Sequence, residues 1–196
     1  STAQLGREKL EDMVRRDILT GLCSRAFLEM RLEELNARPV WPLSIISCDV
    51  NGLKLINDHL GHAAGDEVLV QGATLLRRSM RLSDCVARMG GDEFVALLPG
   101  CSAAQARRIA GDIVYGLEAC NSDESRIPVL LSLGMATSEN GDVPPGELIK
   151  RADRAMLEQK AKSRAASHRH IKDWIEQRHH IAVSLEDIRY AGPCSG

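Results

Sequence analysis

The chain has 196 residues, with 25 Lys and Arg against 27 Asp and Glu, for a formal net charge of -2. That balance speaks against holding duplex DNA or a membrane surface by bulk positive charge, and aromatics at 3% leave few platforms for stacking single-stranded bases. An apolar fraction of 44% supports one packed domain, while no apolar run is long enough to span a bilayer and no signal peptide opens the chain, so the reading is cytoplasmic.

Ser1 to Arg16 is polar with a narrow apolar seam at Leu10, Met13 and Val14, the pattern of a linker or signalling helix that needs a partner helix. Because the first residue is Ser1 rather than Met, this start reads as a cut from something longer. Asp17 to Leu22 breaks the pattern, with Thr20 and Gly21 as turn chemistry. From Ser24, a plausible N-cap, to Ala37 the stripe Phe27, Leu28, Leu32 and Leu35 predicts a helix. Leu43 to Val50 is an apolar run that reads as a buried strand, with Asp49 at its end. A polar, glycine-containing connection is expected from Asn51 to Asp66, followed by a helix from Glu67 to Leu82. Cys85 to Met89 and Phe94 to Leu98 are strand-like and form a hairpin around Gly90, Gly91, Asp92 and Glu93. A helix over 102–119, a strand over 128–135 and a helix from Pro145 to about Lys162 follow. Residues 165–196 stand apart, with a His- and Arg-rich helix candidate around Trp174 and a second helix start at Ser184. The class is α+β or mixed α/β.

Six cysteines never fall into a C-x-x-C pair, and six dispersed histidines form no zinc-finger spacing. The thiols read as reduced. The hairpin is the chemically unusual segment. A primed turn calls for glycine at positive φ, which explains Gly90, Gly91 or both. It does not explain two adjacent carboxylates. Asp92, Glu93 and the strand-end Asp49 form a set suited to holding Mg²⁺ against nucleotide phosphates. A solvated acidic turn is the competing reading of the pattern alone.

Gly90-Gly-Asp-Glu-Phe94 is identical to the signature of the GGDEF family, the diguanylate cyclases. Three further blocks are similar to that family. They are Asp17-Ile-Leu-Thr-Gly-Leu22, the stretch from Asp49 and Lys54 through Asn57-Asp58 and Gly61-His62 to Gly65-Asp66, and Lys150-Arg-Ala-Asp153 with Lys160 and Arg164. The resemblance covers 17–164 as a cyclase domain, leaving 1–16 as linker helix and 165–196 as a tail or the start of a further segment.

The resemblance implies a nucleotidyl-cyclase-like sandwich, a mostly antiparallel sheet flanked by helices, that condenses two GTP into cyclic di-GMP and two pyrophosphates. Two Mg²⁺ ions, replaceable by Mn²⁺, would be held by Asp49, the Val50 carbonyl and Asp92. Asp92 or Glu93 would accept the proton, and the choice stays open. Asn57 and Asp66 match the guanine-recognising pair, and a carboxylate acceptor suits the donors of guanine better than adenine. Lys54 and His62 match residues beside the nucleotide, Gly90 and Gly91 the substrate-facing turn, and Lys160 and Arg164 the phosphate-binding cations. Arg81-Leu-Ser-Asp84 looks like the family's R-x-x-D inhibitory site for the product, its alternative being a local helix-end pair. A homodimer would bring two half-sites together, and neither nucleic acid nor a membrane segment enters. The family usually has a bulky residue where Gly52 stands, so less apolar wall is expected there. Ser163-Arg-Ala165 replaces a closing Gly-Arg-Asn. The alternative function is a weak or inactive module that senses GTP or cyclic di-GMP.

Overall fold

A computed structural model describes residues 15–184. The expected seam at Leu10, Met13 and Val14 lies outside them. Four strands, β1 (Leu43–Val50), β2 (Cys85–Arg88), β3 (Glu93–Pro99) and β4 (Leu131–Ser138), form one sheet in the order β2-β3-β1-β4. Every neighbouring pair is antiparallel. Among the described residues five helices accompany them: α1 (Arg25–Ala37), α2 (Leu53–Leu60), α3 (His62–Arg78), α4 (Ala103–Asn121) and α5 (Pro145–His179). The mixed α/β class and the antiparallel sheet are as the sequence implies. Among the described residues, no helix is long and apolar enough to cross a membrane.

β1 lies between β3 and β4 and is buried at all eight positions. Successive strand side chains alternate faces, and the core divides accordingly. Ile46, Cys48 and Val50 pack with Phe94, Ile56, Val68, Leu76 and Ile113 on one side. Leu43 and Ile45 pack with Val95, Leu97, Leu28, Leu35, Leu148 and Ala152 on the other. Asp49 shares the parity of Leu43 and Ile45, so the strand aims it toward the α5 side. There β4 admits the helix closely: a Cβ on Gly134 would overlap the Met156 nitrogen and the Ala152 carbonyl. Glycine at 134 therefore sets how deep α5 sits over the sheet.

Local chemistry explains most boundaries. Ser24 caps α1 by accepting from the Phe27 N–H, and Ser102 and Gln105 form a reciprocal capping box on α4. Elsewhere the structure departs from expectation. The polar stretch after β1 contains α2, and α3 begins at His62 rather than Glu67. Gly65, which reads as a loop signal, is buried inside α3 because the Asn57 side chain packs against it. Helix α3 also ends at Arg78, short of Leu82, which is almost fully exposed. β4 starts three residues late because the Asn121 side chain takes both the N–H and the carbonyl of Val129.

The largest departure is α5. Nothing in Ser163-Arg-Ala165 breaks a helix, and α5 continues to His179 without interruption, so no structural boundary follows Arg164. Ile171 and Ile175 are fully buried and join the core, as does Val183 after the chain turns at His180. Glu176 fastens that turn by accepting from Lys172 Nζ and the Val183 N–H, while Trp174 Nε1 donates to the Glu124 carbonyl. Replacing Ile175 by Ala should therefore cost about 2–5 kcal/mol. Chemical denaturation should show a lower midpoint with an unchanged slope; an unaltered midpoint would place Ile175 outside the cooperative core.

Candidate functional site

The site forms where β1 ends, because the sheet register brings acids there. Asp49 stands directly opposite Glu93 on β3 and Ser132 on β4. The Val50 N–H donates to the Asp92 carbonyl at 2.9 Å, which fixes the hairpin turn against the strand end. One carboxylate oxygen each from Asp49, Asp92 and Glu93 lies within 4.8 Å of the others. Like charges placed across a ladder repel, so this grouping is costly unless a cation offsets it.

One protein cation does so in part. Lys160 Nζ of α5 lies 2.7 Å from Asp49 Oδ1. The approach is an ion pair without hydrogen-bond alignment, and that oxygen is buried with no directed partner. Asp49 is only 2% exposed. Burial pushes its carboxyl up to about 6; Lys160 opposes the shift, while Asp92 and Glu93 add to it. A buried carboxylate oxygen without a directed hydrogen bond, beside two more carboxylates, is the donor set that a hard divalent cation uses. These residues fit a metal.

The signature turn departs from expectation in its backbone. Neither Gly90 nor Gly91 has positive φ. Turn geometry therefore does not require these glycines. A Cβ on Gly91 would meet nothing within 4 Å, so the glycine leaves bare backbone beside the acids, as close ligand approach demands. Arg88 clamps the turn by donating from Nη2 to the Gly91 carbonyl at 2.7 Å and reaching Asp17 at 3.4 Å. Asp17 in turn accepts from Thr20 N–H and Oγ1 at 2.8 and 2.7 Å. Burial raises the Asp17 pKa, but the Thr20 hydrogen bonds and Arg88 outweigh it and leave the group below its ordinary value. The opening block thus braces the signature turn.

Helices α2 and α3 meet at Gly61. Asn57 Oδ1 is buried against Gly65 without a hydrogen-bond partner, next to the exposed Asp66. Lys54 and His62 are exposed on the same pair of helices. On α5, Lys160 and the half-buried Arg164 stand one turn apart, and His168 follows one turn later. Burial first, then Arg164 and Lys160, hold His168 below its ordinary pKa. Arg81 and Asp84 are not part of this group, since β2 separates them from the Gly90 turn by roughly 13 Å of strand. Asp84 is buried, with Oδ2 accepting from the Arg81 N–H at 2.8 Å, while Arg81 is exposed.

Several residues at the site carry no signal in the sequence. The side chain of Asn51, 5% exposed, joins Ser132 and Ser167. At Gly52, where a thin wall is expected, Ile171 from α5 occupies the volume that a Cβ would need. Only knowledge that α5 continues past Arg164 could have revealed this.

A family model described as "Diguanylate cyclase, GGDEF domain" matches residues 14–166. The chain is 41% identical over 156 residues to the diguanylate cyclase TpbB of Pseudomonas aeruginosa, covering 76% of this chain and 36% of that protein. It is 36% identical over 165 residues to the response regulator PleD of Caulobacter vibrioides, covering 76% of this chain and 35% of PleD. The chain therefore spans about a third of the length of these relatives. A structure of the GGDEF domain of the P. aeruginosa protein aligns with a TM-score of 0.66 at 42% identity, covering 76% of this chain and 90% of that one. A microbial GGDEF domain described for its interaction with cyclic di-GMP aligns with a TM-score of 0.67 at 29% identity, covering 78% and 94%.

The buried Asp49 yields a pH test. Its folded pKa, about 6, exceeds the ordinary 3.8, so folding favours the protonated form. The resulting penalty is fully present above about pH 6 and vanishes below the unfolded value. Asp49→Asn should therefore melt higher than the parent chain at pH 8, with the gain shrinking on acidification toward pH 4. Equal melting temperatures at pH 8 would contradict this electrostatic account.

Proposed function

This chain belongs to the GGDEF family, described as diguanylate cyclases, and on that premise we propose that it joins two GTP molecules into cyclic di-GMP, releasing two pyrophosphates. The observation that carries the reading is the buried Asp49 carboxylate, lacking a directed hydrogen bond, grouped with Asp92 and Glu93 and faced by Lys160. Asp49, the Val50 carbonyl and Asp92 would hold two divalent cations, Mg²⁺ with Mn²⁺ as substitute, which when bound neutralise triphosphate charge and acidify the attacking hydroxyl.

The remaining steps belong to side chains. Asp92, or Glu93 beside it, takes the proton of one ribose 3′-hydroxyl as that oxygen forms its bond to the α-phosphorus of the other GTP. The bond to the β-phosphate bridging oxygen breaks, and pyrophosphate leaves with the electron pair. Lys160 and Arg164 accept the charge of the departing phosphates. Bare backbone at Gly90 and Gly91 gives the substrate room against the acids. Asn57 and Asp66 offer acceptors to the guanine edge, with Lys54 and His62 alongside the nucleotide. Each protomer supplies one GTP, so a two-fold dimer completes the reaction. Exposed Arg81, with its turn held by Asp84, would grip returning product as a brake.

Asp92→Ala tests the proposal directly, with GTP and Mg²⁺ at high protein concentration and chromatographic detection of product. Removing the base should lower the rate at least about 100-fold while the circular dichroism spectrum stays that of the parent chain. Undiminished turnover would sink the assignment. Binding of cyclic di-GMP by the parent chain with no product at any concentration would favour the sensor reading, and equal use of ATP would remove the guanine role of Asn57 and Asp66.

A further inference from the structure

We infer that the part of α5 beyond Arg164 is a positioning element for the turn that ends β1, acting through Asn51. The inference rests on the reading of Asp49, the Val50 carbonyl and Asp92 as the metal-holding group.

A peptide unit is planar, so the Val50 carbonyl and the Asn51 N–H point in opposite directions along one rigid plate. The Asn51 N–H donates to the Leu130 carbonyl at 2.8 Å, which sets the direction of the plate. The side chain of Asn51 then locks the residue from two more sides. Its Oδ1 accepts from the Ser132 hydroxyl at 2.9 Å, and its Nδ2 donates to the Ser167 hydroxyl at 3.3 Å. All three side chains are buried, so each hydrogen bond lost leaves a dry polar atom unpaired. One residue further on, Gly52 adopts φ +71, with Ile171 Cδ1 in the space a Cβ would need. Ser167 and Ile171 lie one turn apart on α5 and press on consecutive residues of the turn. Lys160, on the same helix, faces Asp49 itself.

The helix extension therefore adds more than core area. Ile175, equally buried and one turn beyond Ile171, contributes to the core but has no part in the Asn51 hydrogen bonds. That difference separates positioning from packing.

The test is calorimetric titration of the full chain with α,β-methylene GTP, a non-reacting substrate analogue, in saturating Mn²⁺ and again in EDTA. Ser167→Ala and Asn51→Ala should weaken binding about 10- to 100-fold in Mn²⁺, the usual loss when a hydrogen-bonding partner behind a metal ligand is removed. In EDTA the same variants should bind as the parent chain does. Ser167→Thr, which keeps the hydroxyl, should restore most of the affinity. Ile175→Ala should lower the melting temperature and leave affinity in Mn²⁺ unchanged at temperatures where it is folded. If Asn51→Ala does not fold, Ser167→Ala and Ile171→Val carry the comparison. Parent-like affinity of the folded Ser167 and Ile171 variants in Mn²⁺ would overturn the inference, as would equal losses in EDTA. A parent chain whose binding is indifferent to Mn²⁺ would overturn the metal reading itself.

Discussion

A carboxylate buried at the end of the central strand sets the terms for the rest of this fold. Asp49 is held there by the register of β1 with β3 and β4, which leaves it facing Glu93 and near Asp92. Burial and two like charges both favour its protonation. One lysine 2.7 Å away offsets part of that cost. A structure built only for stability would have an apolar residue at this place, as it does at neighbouring Cys48 and Val50. The acid persists in a position where a divalent cation would relieve it.

The geometry that delivers Lys160 is itself a packing result. Gly134 lets the α5 backbone rest on β4, and from that contact the helix passes the end of β1. Its first turns bury Leu148 and Ala152 in one core cluster, and its last turns bury Ile171 and Ile175 in the other. Between them lie the residues that face the site. Arg88 performs a similar service for the signature turn, bridging it to Asp17 of the opening block. Blocks far apart in sequence are thereby joined by specific contacts around one strand end.

Much of this was legible from residue pattern. The central strand declares itself by its apolar run, the hairpin by its glycines, α1 by apolar spacing and a serine cap, and α4 by apolar spacing. The acids of the site are visible because adjacent carboxylates between apolar strands have no packing role. The misses share a cause: residues in close contact with a neighbour mimic loop signals. Gly65 is a glycine because Asn57 lies against it, and Gly52 because Ile171 does. The first contact joins two successive helices across the Gly61 bend, and the second joins elements far apart in the chain. The same limit hid the reach of α5, whose apolar positions beyond Arg164 are few and show their purpose only through the core that Ile171 and Ile175 enter.

The central claim is that the group around Asp49 is half of a shared catalytic site. Its most direct test is the formation of cyclic di-GMP from GTP and Mg²⁺ by the unaltered chain across a wide range of protein concentrations, with the oligomeric state followed in parallel by light scattering. The account predicts that product appears and that specific activity climbs with the dimer fraction before levelling off. An absence of product at every concentration, or the same specific activity in wholly monomeric protein, would contradict it.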